Sequence, residues 1–294
     1  MTEHVLAADR FEADRARLRG VAYRLLGSLS EAEDAVQEAW LRASRADVAE
    51  VENVSGWLTT IVGRVCLNML RARRTRREEP LDLRVTDPAL GPLDGGDPEE
   101  EALLADSVGV ALLVVLDTLA PAERLAFVLH DMFAVPFDAI APLIERTAVG
   151  TRQLASRARR RVRGAAPTAA PDVTRQRAAV DAFLAATRGG DFDALVALLH
   201  PDVVLTADRF VVPTAEPVVV GGSHPVAKGA MAAMGRARFT GPALLDGRVG
   251  LAMAPRGRLF LVLAFTVTRD GITAIDVIAD RERLAGIEVA VLDA

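Results

Sequence analysis

Between Arg146 and Arg163 the chain carries seven arginines (146, 152, 157, 159, 160, 161 and 163) and no acidic residue. The whole chain holds 35 Lys+Arg against 40 Asp+Glu, a net charge of −5, so the run is not a by-product of a basic composition. A segment this charged has to lie at a surface, and it needs an apolar side to attach there. Leu154, Ala155, Ala158 and Val162 supply that side at helical spacing, and Thr147 is placed to cap the helix. Arginine on one side and small apolar residues on the other suit a helix lying on DNA. It docks on its own domain and offers guanidinium groups to phosphates or guanine edges. A solvated basic helix, or one that contacts RNA or a membrane surface, shows the same pattern.

The preceding residues narrow the choice. Leu116–Arg163 reads as helix, turn, helix, turn, helix. Pro121 falls where a first-turn proline is tolerated, with Glu123 close behind it, and Leu125, Val128, Leu129 and Met132 form an apolar stripe. Phe137–Ile144 is a short second helix leading through Glu145–Thr147 into the arginine helix. A two-helix corner with a basic second member is the helix-turn-helix plan. Pro142 removes a backbone bond from the first helix of that corner, at about 3 kcal/mol in a regular helix. Gly150 costs the reading helix roughly 1 kcal/mol against alanine.

A second arginine-only stretch, Arg64–Arg77, has six arginines and no acid. It ends a helix predicted from about Ser55, with Trp57, Leu58, Ile61, Val65 and Met69 as its core side. Thr60, Arg64, Asn68 and Arg71 share its polar face. Upstream, Phe11–Leu26 is a helix stopped by Gly27. Ser30-Glu31-Ala32-Glu33 reads as a capping box opening a helix to about Ser44. That helix buries Ala32, Val36, Ala39, Trp40 and Ala43 and leaves Asp34, Gln37, Glu38 and Arg42 outward.

Two breaks divide the chain. Glu78–Glu101 is acidic, Pro- and Gly-containing and without sustained period, a linker; Gly164–Pro171 is rich in small residues, a tether. Beyond it, residues 173–199 give two helices split at Gly189-Gly190. Strands then follow at Val203–Ala207, Pro217–Val220, Gly247–Ala254, Leu259–Arg269 and Ile272–Ala279, with a helix at His224–Gly235. Helices followed by an antiparallel sheet make an α+β domain. With 51% hydrophobic residues there is ample core, yet no apolar run is long enough to span a bilayer. The N-terminal residues lack the pattern of a signal peptide, so a cytoplasmic protein is expected. The one cysteine, Cys66, sits among apolar neighbours and reads as a small buried hydrophobe. No metal or cofactor is expected.

The segment LDTLAPAERLAFVLHDMFAVPFDAIAPLIERTAVGTRQLASRARRRV resembles region 4 of the bacterial extracytoplasmic-function (ECF) sigma factors. The phrases FEADRARLRGVAYRLLGSLSEAEDAVQEAWLRA and VSGWLTTIVGRVCLNMLRARRTRR resemble their region 2. GDFDALVALLHPDVVLTAD and DGITAIDVIADRERL are similar to the SnoaL-like (NTF2-like) cone fold, a combination found in the SigJ-like, ECF41-type group. Where that group has a glycine-rich motif after the first strand, Asp208 is followed here by Arg209-Phe210.

The resemblance implies a multidomain chain: two all-α sigma domains, a region 2 helical bundle and a region 4 helix-turn-helix, plus a C-terminal α+β cone. The boundaries follow the breaks: 1–80 for region 2, 81–105 a linker, 106–164 for region 4, 165–172 a second linker and 173–294 for the cone. Asp34, Gln37 and Glu38 are then expected on the β′ clamp helices of core RNA polymerase, and region 4 on the β flap. Thr60, Arg64, Asn68, Arg71, Arg73 and Arg74 are expected on −10 DNA, with the loop Asp47–Val54 receiving a flipped base. Arg146, Thr151, Arg152, Gln153 and Arg157 are expected on −35 DNA. The cone is expected to regulate the chain, through a protein surface or a small ligand. Two other readings use the same residues. One is a helix-turn-helix regulator with a ligand-sensing domain. The other is a SnoaL-type enzyme with a DNA-binding arm, drawing on His200, Asp202, Asp208, His224, Asp246 and Asp276.

Overall fold

The computed structural model describes residues 2–46, 51–76, 103–105, 108–164, 170–211, 214 and 216–292. The chain forms two compact units. Among the described residues the first takes those up to 76 together with Leu116–Arg161, and the second takes 103–105, 108–115 and those from Val162 on. Helices expected in two separate domains thus share one unit, and both ends of the expected 106–164 domain go with the α+β unit. The linker expected at 81–105 lies mostly outside the described residues.

The all-α unit opens with α1 (Thr2–Leu26), α2 (Leu29–Ala43) and α3 (Val54–Arg76). Gly27, at φ 77°, takes the left-handed turn that ends α1. α2 presents Ala32, Ala35, Val36, Ala39 and Ala43 to the core, small side chains that let it sit close to its neighbours. Half-buried Trp40 tilts against Phe11, ring centroids 5.0 Å apart. The expected capping box does not form. Ser28, not Ser30, is the N-cap, and Glu33 reaches across to Arg19 of α1 at 3.2 Å instead of turning back on its own helix. α3 is capped by Asn53, whose Oδ1 accepts from the Gly56 N–H at 2.8 Å. Its buried side is Leu58, Val62, Val65, Cys66, Leu67 and Leu70, while Trp57, Ile61 and Met69 are only half-buried. The buried side is displaced from the expected one because α3 is packed on two sides.

The second of those sides is the helix α5 (Pro121–Phe127), which follows α4 (Val110–Thr118) and runs on into one π-helical turn, Val128–Met132. A Cβ on Gly63 of α3 would stand 3.0 Å from Leu129 Cδ1, so the absence of a side chain there permits this close approach. The corner follows. α6 (Phe137–Ile140) tightens into a 3₁₀ turn at Ala141–Ile144, where Pro142 lacks the donor a continuing α-helix needs. Glu145 then turns left-handed (φ 56°) into α7 (Ala148–Arg163).

The second unit carries α8 (Ala170–Gly189) and α9 (Phe192–Leu198), then a seven-stranded sheet. Its strands are β1 (Leu199–Ala207), β2 (Val218–Gly221), β3 (Thr240–Leu245), β4 (Arg248–Met253), β5 (Leu261–Thr268), β6 (Gly271–Ile278) and β7 (Val289–Ala290). They are ordered β2-β1-β6-β5-β4-β3-β7. α10 (Ser223–Ala232) and α11 (Met234–Ala237) follow β2. One sheet face packs on the helices through Val180, Phe183, Leu195, Phe239, Phe265 and Ile275. The sheet is mixed rather than antiparallel, because β1 and β6, distant in sequence, pair parallel with Val204 opposite Ala274. β3 was not expected as a strand. Pro242 stands in it at a position β7 does not reach, since β7 pairs only with Leu244 and Leu245. The fold class is otherwise as the sequence indicates: an all-α part followed by an α+β part.

Candidate nucleic-acid interface

α7 begins as its sequence dictates. Thr147 Oγ1 accepts from the Gly150 N–H at 3.1 Å, the N-cap bond. Thr151 is fully buried and its hydroxyl donates to the Thr147 carbonyl at 2.9 Å, so it seats the helix and does not face outward as expected. Ala155 and Ala158, also at zero exposure, continue the seam. Opposite that seam, one exposed face carries Val149, Arg152, Gln153, Ser156 and Arg160. Arg146 is exposed in the turn just before the helix.

Arg157, Arg159 and Arg161 lie on the flanks and meet acids of α5 and its π turn, while Arg163 is exposed at the end of the helix. Arg157 Nε is 3.0 Å from Glu123 Oε1, Arg161 Nη1 is 3.7 Å from Glu123 Oε2, and Arg159 Nε is 2.9 Å from Asp131 Oδ1. These pairs brace the helix on its own module, with part of their charge already matched. Arg157, expected to face DNA, belongs to this flank. Arg152 lies instead over the Phe137 ring, 5.5 Å from guanidinium carbon to centroid, and Phe137 stacks on His130 of the π turn at 3.7 Å. The structure therefore divides the stripe in two: Glu123 and Asp131 hold the flank, and Arg146, Arg152, Gln153 and Arg160 remain outward. Ser156 was not singled out by sequence, and Arg160 only as one of the seven arginines of the run. Counting residues opposite the alanine seam would have found them.

On α3, Arg64, Asn68, Arg71 and Arg74 are exposed along one face. Thr60 is half-buried, its hydroxyl donating to the Trp57 carbonyl at 2.7 Å. Arg73 departs from expectation. Its guanidinium pairs with Glu31 of α2 and donates to the Leu26 carbonyl, which pins the tail of α3 to the bundle. Arg71 comes within 3.8 Å of Glu145, in the turn that leads into α7.

At the start of α3 lies an open cavity of about 350 Å³, between Arg10 and Asp14 of α1 and the Glu52–Ser55 segment. Asp47–Glu50, the rest of the expected base-receiving loop, lies outside the described residues. Asp14 organises one wall of the cavity. Its carboxylate accepts from the Ser55 hydroxyl and, at 3.0 Å, from Arg17 Nε, and Arg17 also donates to Thr59 Oγ1 at 2.9 Å and the Ser55 carbonyl at 2.7 Å. Partial burial works against ionisation of Asp14, but the bonds from Ser55 and Arg17 outweigh it and hold the carboxyl below its usual range. This network fixes the first turn of α3 on α1.

On α2, Asp34 and Gln37 are exposed and half-buried Glu38 is 2.9 Å from Arg42. Leu41, 48% exposed, continues the same face one turn on and was not anticipated. In the α+β unit three of the six groups named for acid–base chemistry, Asp208, Asp246 and His200, are engaged with backbone. Asp208 accepts from the N–H groups of Phe210, Ala279 and Asp280 and ties the end of β1 to that of β6. Asp246 accepts from the Glu288 N–H at 2.9 Å, and His200 Nδ1 accepts from the Asp202 N–H at 3.1 Å. Among the described residues no group of three or more His, Cys, Asp or Glu is placed to hold a metal ion. Burial pushes the Cys66 thiol up, away from reactivity. No described helix is long and apolar enough to cross a membrane.

Comparison with known proteins adds the following. Residues 10–76 match the sigma-70 region 2 family. The chain is 37% identical to the ECF RNA polymerase sigma factor SigJ of Mycobacterium tuberculosis, over 96% of this chain and 94% of that protein. It is 37% identical to the probable ECF RNA polymerase sigma factor SigI of the same organism, over 69% of this chain and 70% of the relative. The crystal structure of M. tuberculosis extracytoplasmic function sigma factor SigJ aligns with 95% of this chain and 98% of its own, at 34% identity and a TM-score of 0.43.

Proposed function

We propose an assignment of surfaces to tasks for this chain, which belongs to the extracytoplasmic-function RNA polymerase sigma factors. As a sigma factor it binds core RNA polymerase and promoter DNA and directs transcription initiation, and it catalyses no bond-making step of its own. The outward face of α7 reads the −35 element through Arg146, Arg152 and Gln153. Near the start of such a helix, guanidinium and carboxamide groups can reach base edges in the major groove. Arg64, Asn68, Arg71 and Arg74 of α3 hold −10 DNA, and the cavity beside Asp14 and Ser55 receives an extruded base. Asp34, Gln37, Glu38 and Leu41 of α2 form the face for the β′ clamp helices of core polymerase, and the α5–α7 module meets the β flap. The α+β unit regulates the other two activities.

The observation that carries this assignment is the sorting of the α7 arginines. Acids of the same module match Arg157, Arg159 and Arg161, while Arg152, Gln153 and Arg160 stay outward on the face opposite the buried seam. The test is a promoter-variant panel with reconstituted holoenzyme. Arg152→Ala and Gln153→Ala should alter discrimination at the upstream element alone, Arg64→Ala and Asn68→Ala at the downstream element alone, and Asp34→Arg should weaken core binding without changing promoter choice. Equal losses on every promoter from all five variants would refute the assignment.

A further inference from the structure

Val149 has no structural task in the helix that carries it. It sits in the first turn of α7, 62% exposed, on the face opposite the buried seam of Thr151, Ala155 and Ala158. A β-branched residue there favours the helix less than alanine would, and its exposed methyl groups add nothing to the core. Its neighbours by helical spacing are Arg152 and Gln153, both exposed, and Arg146 is exposed in the turn just before the helix. An apolar knob on a face that carries Arg146, Arg152 and Arg160 is ill suited to a second copy of the same face, which would bring like charges together. It suits a polyanion that offers an apolar group between its phosphates. In the major groove of DNA that group is the C5 methyl of thymine, which no other standard base carries.

The geometry points to Val149 as a specificity residue that packs on a thymine methyl in the −35 element, beside the polar contacts of Arg152 and Gln153. The inference rests on the reading of α7 as the −35 helix and adds an apolar contact to it. The contact is specific in a way a phosphate contact is not, because it responds to removal of one methyl group while every charge and hydrogen-bonding group of the DNA is kept.

Uracil substitution removes that methyl. A promoter would be recovered by selection from a library randomised in the −35 region, using holoenzyme assembled from the full chain and core polymerase. Each thymine of either strand in that region would then be replaced singly by uracil, and holoenzyme affinity measured for the wild-type chain and for Val149→Ala. Wild type should lose roughly three- to tenfold at one thymine, the scale of a single buried methyl. Val149→Ala should bind the thymine promoter more weakly by a similar factor and be indifferent to uracil at that position. Val149 is exposed and alanine favours the helix, so the variant keeps its fold; equal thermal stability would check this. If every uracil substitution is neutral for wild type while scrambling the element still abolishes binding, the methyl contact is wrong and the −35 reading stands. If Val149→Ala weakens thymine and uracil promoters equally, the residue does not read the methyl. If scrambling the element changes nothing, the reading of α7 itself fails, and the inference with it.

Discussion

Arg124 Nη1 donates to the carbonyl oxygen of Leu25 at 2.9 Å, from a side chain only 4% exposed. The donor sits on α5, at the foot of the helix-turn-helix, and the acceptor on α1 of the region 2 bundle. The same guanidinium reaches Asp117 at 3.0 Å, and nearby Leu125 and Leu129 close over Gly63 of α3. The two helical modules are therefore held as one unit by a buried charged contact and an apolar one.

Arg124→Met keeps most of the side-chain volume and removes both bonds, leaving the Leu25 carbonyl unpaired. A lost hydrogen bond from a buried charged group, with its partner stranded, costs about 2–4 kcal/mol. Urea unfolding of the full chain should register that loss in the transition of the all-α unit. A change under about 0.5 kcal/mol, the size of an ordinary surface substitution, would mean that the contact does not hold the modules together.

Glu123 is matched to Arg157 and Arg161 on the flank of α7. Glu123→Gln should release positive charge beside the reading face. Affinity for any duplex should rise, the salt dependence of binding should steepen, and the preference for the correct −35 sequence should fall. Binding measured over a salt series on matched and scrambled promoters checks all three. An unchanged salt slope would show that these arginines already engage phosphate in the wild type.

Gly150 occupies the third position of α7, where a Cβ would meet Thr147 Oγ1 at 3.4 Å, an ordinary contact. Gly150→Ala should stabilise the unit by up to about 1 kcal/mol and leave promoter choice unchanged. A loss of stability would indicate that the cap at Thr147 cannot adjust.

What the sequence makes legible follows from how local its causes are. Thr147 caps α7 as its position indicates, Gly27 ends α1, and Pro142 converts the end of its helix to a 3₁₀ turn; each depends on its immediate neighbours. Ser30 and Glu33 had the spacing of a capping box, but Arg19, from another helix, takes Glu33. Arg73 reads as basic tail until Glu31 is seen beside it, and Thr151 as a polar contact until it is found in the seam. The parallel pairing of β1 with β6 spans nearly the whole sheet domain and leaves no trace in period or turn chemistry. β3 contains Pro242, a residue that lacks a ladder donor, and β7 is too short to reach it, which is why it is tolerated there. The site was legible at the level of helices; which arginines are outward depended on acids more than twenty residues away.

The Asp14 carboxyl, held below its ordinary value of 3.8 by Ser55 and Arg17, makes a further prediction. A carboxyl depressed in the folded state contributes stability that is fully present above its unfolded value and is lost as pH falls through the folded value. Asp14→Asn should therefore destabilise the chain at pH 7, and the gap to wild type should begin to shrink as pH falls below the unfolded value of about 4 and go on shrinking toward the lowered folded value. Because the same network fixes the first turn of α3, the variant should also slow DNA opening, read by permanganate reactivity of −10 thymines, while core binding is retained. A stability gap that stays constant from pH 7 to pH 3 would contradict this account of Asp14.

The central claim is that one chain places a −35 reader and a −10 reader on core polymerase, and run-off transcription tests it most directly. On a promoter recovered by selection, core enzyme with this chain should give a transcript from a single start. That transcript should be absent with core alone and lost when either element is scrambled. A chain that neither joins core nor yields a specific transcript, yet still binds a closed duplex site unaided, would contradict the account.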